Sequence, residues 1–123
     1  MRPDRLFLLD IVGAADAIVV HVDGRGEEEL LDDPTARAAV LHELTVIGEA
    51  AARISSETRS LDPGIPWAEI VAFRNVVIHE YFGLSWPIIW VTTSEDVPKL
   101  RAQITKILET LGDDEPDKES PDE

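Results

Sequence analysis

The chain contains no cysteine in its 123 residues. Disulfides and thiolate metal sites are therefore excluded, and the composition suits a reducing compartment; the expected location is the cytoplasm. Cations are also scarce: 11 Lys and Arg stand against 25 Asp and Glu, a net charge of −14. Bulk charge of this sign argues against a nucleic-acid partner, because phosphate binding draws on Lys and Arg. The stretch from Gly112 to Glu123 holds seven acids and one Lys, a net of −6, so the remainder still carries −8 (−14 minus −6). Any RNA contact must come from a local cluster of cations and be salt-sensitive. Long apolar runs are missing too. The segment Leu6 to Val22 comes nearest, but Asp10 and Asp16 interrupt it, and it falls short of the ~20 residues that span a bilayer. It reads as a buried helix, and no membrane association is expected.

What is present is an apolar fraction of 44%, enough for one folded domain with a modest core. That domain is placed at residues 1–111. An acidic tail over 112–123, with Pro116 and Pro121 among its acids, is expected to be disordered.

The spacing of apolar residues is helical throughout, with no convincing strand. Pro3 and Asp4 open a first helix to about His21, with Leu6, Leu9, Gly13, Ala17 and Val20 as one stripe and Leu8, Val12, Ala15 and Val19 beside it. Asp23 to Gly26 is a turn, and Glu27 to Leu31 a short helix. Asp33 caps, and Pro34 begins, a second long helix to about Thr58; Ala38, Leu41, Gly48 and Ala52 are among its packing positions, and its small residues Gly48, Ala50 and Ala51 invite close approach of a neighbour. A third helix starts at Pro66, carries Ile70, Phe73, Val77 and then Tyr81 or Phe82 at helical spacing, and ends at Gly83. The last helix follows Ser85 and Pro87; Pro98 predicts a kink, or a restart after a cap at Ser94. Trp67, Trp86 and Trp90 are assigned to packing.

One stretch concentrates chemistry: Arg74, Asn75, His79 and Tyr81, interleaved with Val76, Val77 and Ile78. At about 100° per residue, Asn75 and His79 lie about 40° apart and Arg74 and Tyr81 about 20° apart, whereas Arg74 and His79 diverge by about 140°. A single straight helix does not easily aim both cations at one small ligand. Either the long Arg74 side chain reaches round, or a second copy of the helix completes the site. His79 suits general base work near neutral pH, with a capping or interface role as the plainer alternative. Arg74 offers a planar donor to phosphate oxygens, or an ion pair with Glu69 or Glu49. Glu49 reads as structural, a partner for an Arg. Asn75 either caps, orients His79 or meets a ligand. His21 and His42 lack ligand spacing, and no metal or cofactor is assigned.

Arg-x4-His-x-Tyr, together with the opening Arg2-Pro3-Asp4-Arg5-Leu6, the segment Val46 to Ala51, Ile65-Pro66-Trp67 and His79-Glu80-Tyr81-Phe82-Gly83, resembles the HEPN superfamily and specifically its HepT-like toxins. The likeness covers residues 1–111. It implies an all-α, antiparallel four- to five-helix bundle that dimerises through the motif helix. It also implies a metal-independent endoribonuclease, in which His79 takes the proton of a ribose 2′-hydroxyl, Arg74 stabilises phosphate charge, and Asn75 orients substrate or His79. In these toxins the Tyr matching Tyr81 receives AMP from a partner nucleotidyltransferase, which implies an antitoxin of that type. A second reading stays open: a non-catalytic HEPN module that binds a nucleotide or a protein, favoured by the −8 charge of the body.

Overall fold

The computed structural model describes residues 2–112. The expectation of a disordered tail falls on residues 113–123, outside the described residues. Four long helical rods make the bundle: α1 (Asp4–Val22), α3 (Pro34–Arg53), α5 (Trp67–His79) and the continuous pair α6 (Trp86–Val91) and α7 (Val97–Leu111). Two short helices, α2 (Glu27–Leu31) and α4 (Ser56–Arg59), fill connections, and no strand occurs among the described residues. The all-α, four- to five-helix expectation holds.

α1 lies between α3 and α7 and runs antiparallel to both. Its Asp4 reaches Ser55 at the far end of α3, and its Asp16 pairs with Arg101 of α7 at 2.6 Å. Its buried face is Phe7, Leu8, Ile11, Ala14, Ala15 and Ile18, closed against Val40, Leu44 and Ile47 of α3 and Leu100, Ile104 and Ile107 of α7. The stripe expected to pack, Leu6, Leu9, Gly13 and Val20, instead faces outward. Asp10 and Asp16 lie on that outward side, where they pair with Arg2 and Arg101 at the surface; ionised groups are too costly to desolvate, and they set which side of so apolar a helix meets water.

α3 begins as the sequence predicts. Asp33 caps it by accepting from the Ala36 N–H at 3.1 Å, with Pro34 in the first turn. Ala38 and Ala52, expected to pack, are exposed. The helix stops at Arg53, not at Thr58. Ile54 turns to an extended conformation and is buried, and Ser55 caps a fresh turn by accepting from the Thr58 N–H. The Asp4 carboxylate accepts from both the Ser55 and Thr58 hydroxyls, at 2.5 and 2.6 Å. A charged acceptor from α1 thereby holds the break, and tertiary contact overrides the helical run read from the sequence.

The α6–α7 rod contains a π-helical segment, Thr92–Asp96, in place of the expected kink or restart. Pro98 has no N–H for the carbonyl four residues back. Val97 N–H bonds Thr92 O, five residues back, and the widened turn carries the rod past the proline. Ser94 does not cap; its hydroxyl donates to Trp90 O at 2.6 Å, and that of buried Thr93 to Ile89 O at 3.0 Å.

Candidate active site

α5 rests on α3 and makes few contacts with α6 and α7. The closeness of that rest comes from Gly48. A Cβ built there would lie 2.2 Å from the Arg74 Cβ and 2.6 Å from its Cγ. No side chain fits at 48 while Arg74 crosses at this height. Arg74 thus leaves α5 directly over α3, and its side chain is 17% exposed. Its Nη1 sits 2.7 Å from Oε2 of Glu49, the residue after Gly48, and its Nε donates to Asn75 Oδ1 at 2.9 Å. Of the two ion-pair partners considered for Arg74, Glu49 is the one present. Asn75, itself exposed, thus holds one edge of a guanidinium whose other edge is held by α3.

His79 is the last residue of α5, exposed, and its side chain has no hydrogen-bond partner among the described residues. It lies one turn from Asn75 on the face turned away from α3. The structure thus keeps Arg74 and His79 on the divergent faces that helix geometry requires. Asn75 stands between them in angle, holding one and neighbouring the other.

The helix ends four residues before Gly83. Val76, Val77 and Ile78 are β-branched in succession, which weakens helix continuation. Glu80 departs to φ −115°, and Tyr81–Gly83 forms one 3-10 turn closed by Gly83 N–H to Glu80 O at 2.8 Å. Gly83 is therefore not a left-handed helix cap; among the described glycines only Gly24 and Gly112 have positive φ. The turn swings Tyr81 toward α3 and Phe82 outward. Of the two residues offered for the next position of the stripe, Tyr81 is 45% exposed and Phe82 is 99% exposed, its ring edge-on to Tyr81 at 5.2 Å. Val76 and Ile78 are each 45% exposed as well.

The 3-10 turn also brings Tyr81 beside a histidine that sequence spacing set aside. A groove of about 260 Å³ between α3 and α5 is lined by Ala38, Leu41, His42, Thr45, Ile78 and Tyr81, with Val77 at its base. The signal was present: His42 is seven residues before Glu49, which puts it about 20° from Glu49 on α3 and facing the same helix. Among the described residues no group of three or more His, Asp or Glu is placed to hold a metal ion, and no helix is long and apolar enough to cross a membrane.

A family model described as Ribonuclease HepT-like matches residues 11–107. The chain belongs to the HepT-like ribonuclease family. Three relatives are matched over nearly their whole lengths. A protein of Methanocaldococcus jannaschii named "Putative RNase MJ1380" is 34% identical over 103 residues, 84% of this chain and 94% of its own. One from Caldanaerobacter subterraneus subsp. tengcongensis, "Putative RNase TTE0752", is 34% identical over 109 residues, 89% of this chain and 97% of its own. The "Probable ribonuclease HepT" of Thermococcus cleftensis is 34% identical over 106 residues, 86% of this chain and 96% of its own. No solved structure matches significantly. Within this HepT-like domain the motif residues Arg74, Asn75, His79 and Tyr81 all fall inside the matched segment.

Proposed function

We propose that the chain is the toxin of a toxin–antitoxin pair, an endoribonuclease that cuts RNA without a metal. His79 accepts the proton of a ribose 2′-hydroxyl. The 2′-oxygen attacks the neighbouring phosphorus, the bond to the 5′-oxygen breaks, the leaving oxygen takes a proton from water, and the hydroxide left behind takes up the proton held on His79. The products are a 2′,3′-cyclic phosphate and a 5′-hydroxyl end. Arg74 stabilises charge on the phosphate, and Asn75 positions its guanidinium. The observation that carries this reading is the exposed, unpartnered His79 imidazole one turn from the anchored Arg74–Asn75 pair. A base with no partner in the resting protein is free to take a substrate proton.

In this reading the working unit is a dimer. The motif end of α5 exposes apolar Val76, on the side away from the α3 groove, and Phe82 just beyond the helix. Beside it a groove of about 370 Å³, floored by Leu44, Ile47, Ile70, Phe73 and Leu100, opens where α5 stands off α6 and α7. A second copy of α5 laid against this side covers apolar surface and brings a second set of Arg74 and His79 to the divergent pair. Tyr81, half-exposed beside the site, is the acceptor of AMP from a nucleotidyltransferase antitoxin. The added phosphate charge and bulk then block RNA.

The test is incubation of the full chain with labelled RNA in EDTA, beside His79→Ala, after intact mass shows Tyr81 unmodified. Cleavage by the wild type only, leaving cyclic phosphate ends on RNA and none on DNA, is the expected result. Equal cleavage by both proteins, or none by either on a broad mixture including tRNA, overturns it. The net charge of −14 and the Arg74–Glu49 pair favour the second reading, a non-catalytic nucleotide- or protein-binding module; it expects neither protein to cut.

A further inference from the structure

α3 presents Ala38, His42, Thr45 and Glu49 at steps of four, three and four residues, a single stripe along one face. α5 faces that stripe with Arg74 and Ile78, and Tyr81 continues the line beyond the helix end. The seam between the helices therefore has two compartments. In one, Arg74 is anchored by Glu49 and Asn75. In the other lies the groove of about 260 Å³ whose floor is apolar and buried, Leu41 and Val77, and whose walls are His42 and Tyr81. Along the helix axes the groove begins about 6 Å from the first compartment, the step from Arg74 to Ile78, and reaches about 10 Å at its wall, the step from Glu49 to His42. That is the order of separation between a base and the phosphate of its own nucleotide.

The groove is smaller than the ~300–1,000 Å³ of sites for drug-sized ligands. It has room for one flat ring system and not for a longer segment. Its chemistry suits a base. Leu41, Val77 and Ile78 supply an apolar surface, and the ring of Tyr81 an aromatic edge. His42 is exposed and has no partner among the described residues, so its imidazole can stack on a base or donate to a ring nitrogen. The Thr45 hydroxyl donates to Leu41 O at 3.0 Å, which leaves its oxygen as an acceptor toward an exocyclic amino group.

We infer that this groove is a nucleobase subsite: it seats the base of a single nucleotide whose phosphate is held at Arg74, with His42 as the residue that recognises the base. The nucleotide comes from one of two sources, a residue of the RNA substrate or AMP joined to Tyr81. Both present the same chemistry to the groove. The inference rests on the ribonuclease reading for its biological setting, but the binding it requires does not depend on cleavage.

The experiment is a calorimetric titration of the full chain with AMP and, as a phosphate without a base, ribose 5-phosphate. Wild type, His42→Ala and Ala38→Trp are compared, with melting curves to show that each is folded. Ala38 is exposed at the groove mouth, so the tryptophan fills the groove without entering the core. AMP is expected to bind about tenfold tighter than ribose 5-phosphate, the usual effect of one stacked base, and both variants to reduce AMP to the ribose 5-phosphate level. AMP no tighter than ribose 5-phosphate, or variants that keep the wild-type difference, overturns the subsite. A second arm separates the sources. If RNA uses the groove, both variants lower kcat/KM on a cleaved RNA about tenfold, chiefly through KM. If only AMP on Tyr81 uses it, RNA cleavage is unchanged while AMP binding is lost. Failure of the wild type to cut any RNA sinks the ribonuclease reading alone and leaves the AMP result to decide the subsite.

Discussion

Arg74 is fixed at three points: its Cβ over Gly48, its Nη1 on Glu49 and its Nε on Asn75. A lysine keeps the charge but has no planar fork to hold two acceptors at once. Arg74→Lys is therefore expected to lower kcat for RNA about a hundredfold, the scale of removing one positioned donor from a charge-stabilising site. Stability should change little. Glu49 is 46% exposed, and partly solvated ion pairs contribute at most about 1 kcal/mol. A melting midpoint that falls steeply with activity would show instead that Arg74 is a structural brace. The sequence offered Glu69 or Glu49 as the acid for Arg74, and the close approach over Gly48 made it Glu49. Which of Tyr81 and Phe82 meets the bundle was not legible: the helix ends before either, and one 3-10 turn lays Tyr81 toward α3 and sends the Phe82 ring to solvent.

At the scale of elements, the α3–α5 crossing depends on one missing side chain. Gly48→Ala forces α5 off α3, because the new methyl meets the Arg74 Cβ and Cγ rather than a flexible tip. The expected cost is about 1–3 kcal/mol, read as a lower midpoint in denaturant. RNA cleavage should fall further than stability does, since Arg74 moves with the helix. The start of α3 gives a pH-dependent prediction. The Ala36 N–H, and after it the Arg25 guanidinium at 3.2 Å, hold the Asp33 carboxyl below its ordinary pKa. A depressed carboxyl stabilises the fold above its unfolded pKa, about 3.9, and that contribution disappears as pH falls through the folded value. Asp33→Ala should therefore lower the melting temperature at neutral pH, with the gap to wild type closing as pH falls through the depressed folded value. A gap that persists in acid would mean that the cap acts through something other than its charge. The cap was visible in the Asp33-Pro34 pair. The break at Ile54 was not, because the Asp4 carboxylate that holds it comes from about 50 residues away.

At the scale of the molecule, the rods of the bundle are unevenly packed. α1 packs against α3 and α7, while α5 leans chiefly on α3 and leaves Val76, Ile78 and, just past its end, Phe82 exposed. Sedimentation equilibrium is expected to give twice the chain mass. The double variant Val76→Asp, Phe82→Ser should sediment as a single chain, remain helical and lose RNA cleavage. A monomeric wild type that still cuts RNA would remove the need for a second copy. The sequence by itself determined the helical class, the start of nearly every helix and the residues able to do chemistry, because caps, prolines and helical periodicity act within a few residues of chain. Only the tertiary structure decided which face of α1 is buried, where α3 and α5 stop, that the last rod passes Pro98 through a π turn, and that His42 joins Tyr81. Those outcomes depend on which helix lies against which, and an apolar stripe carries no record of its neighbour.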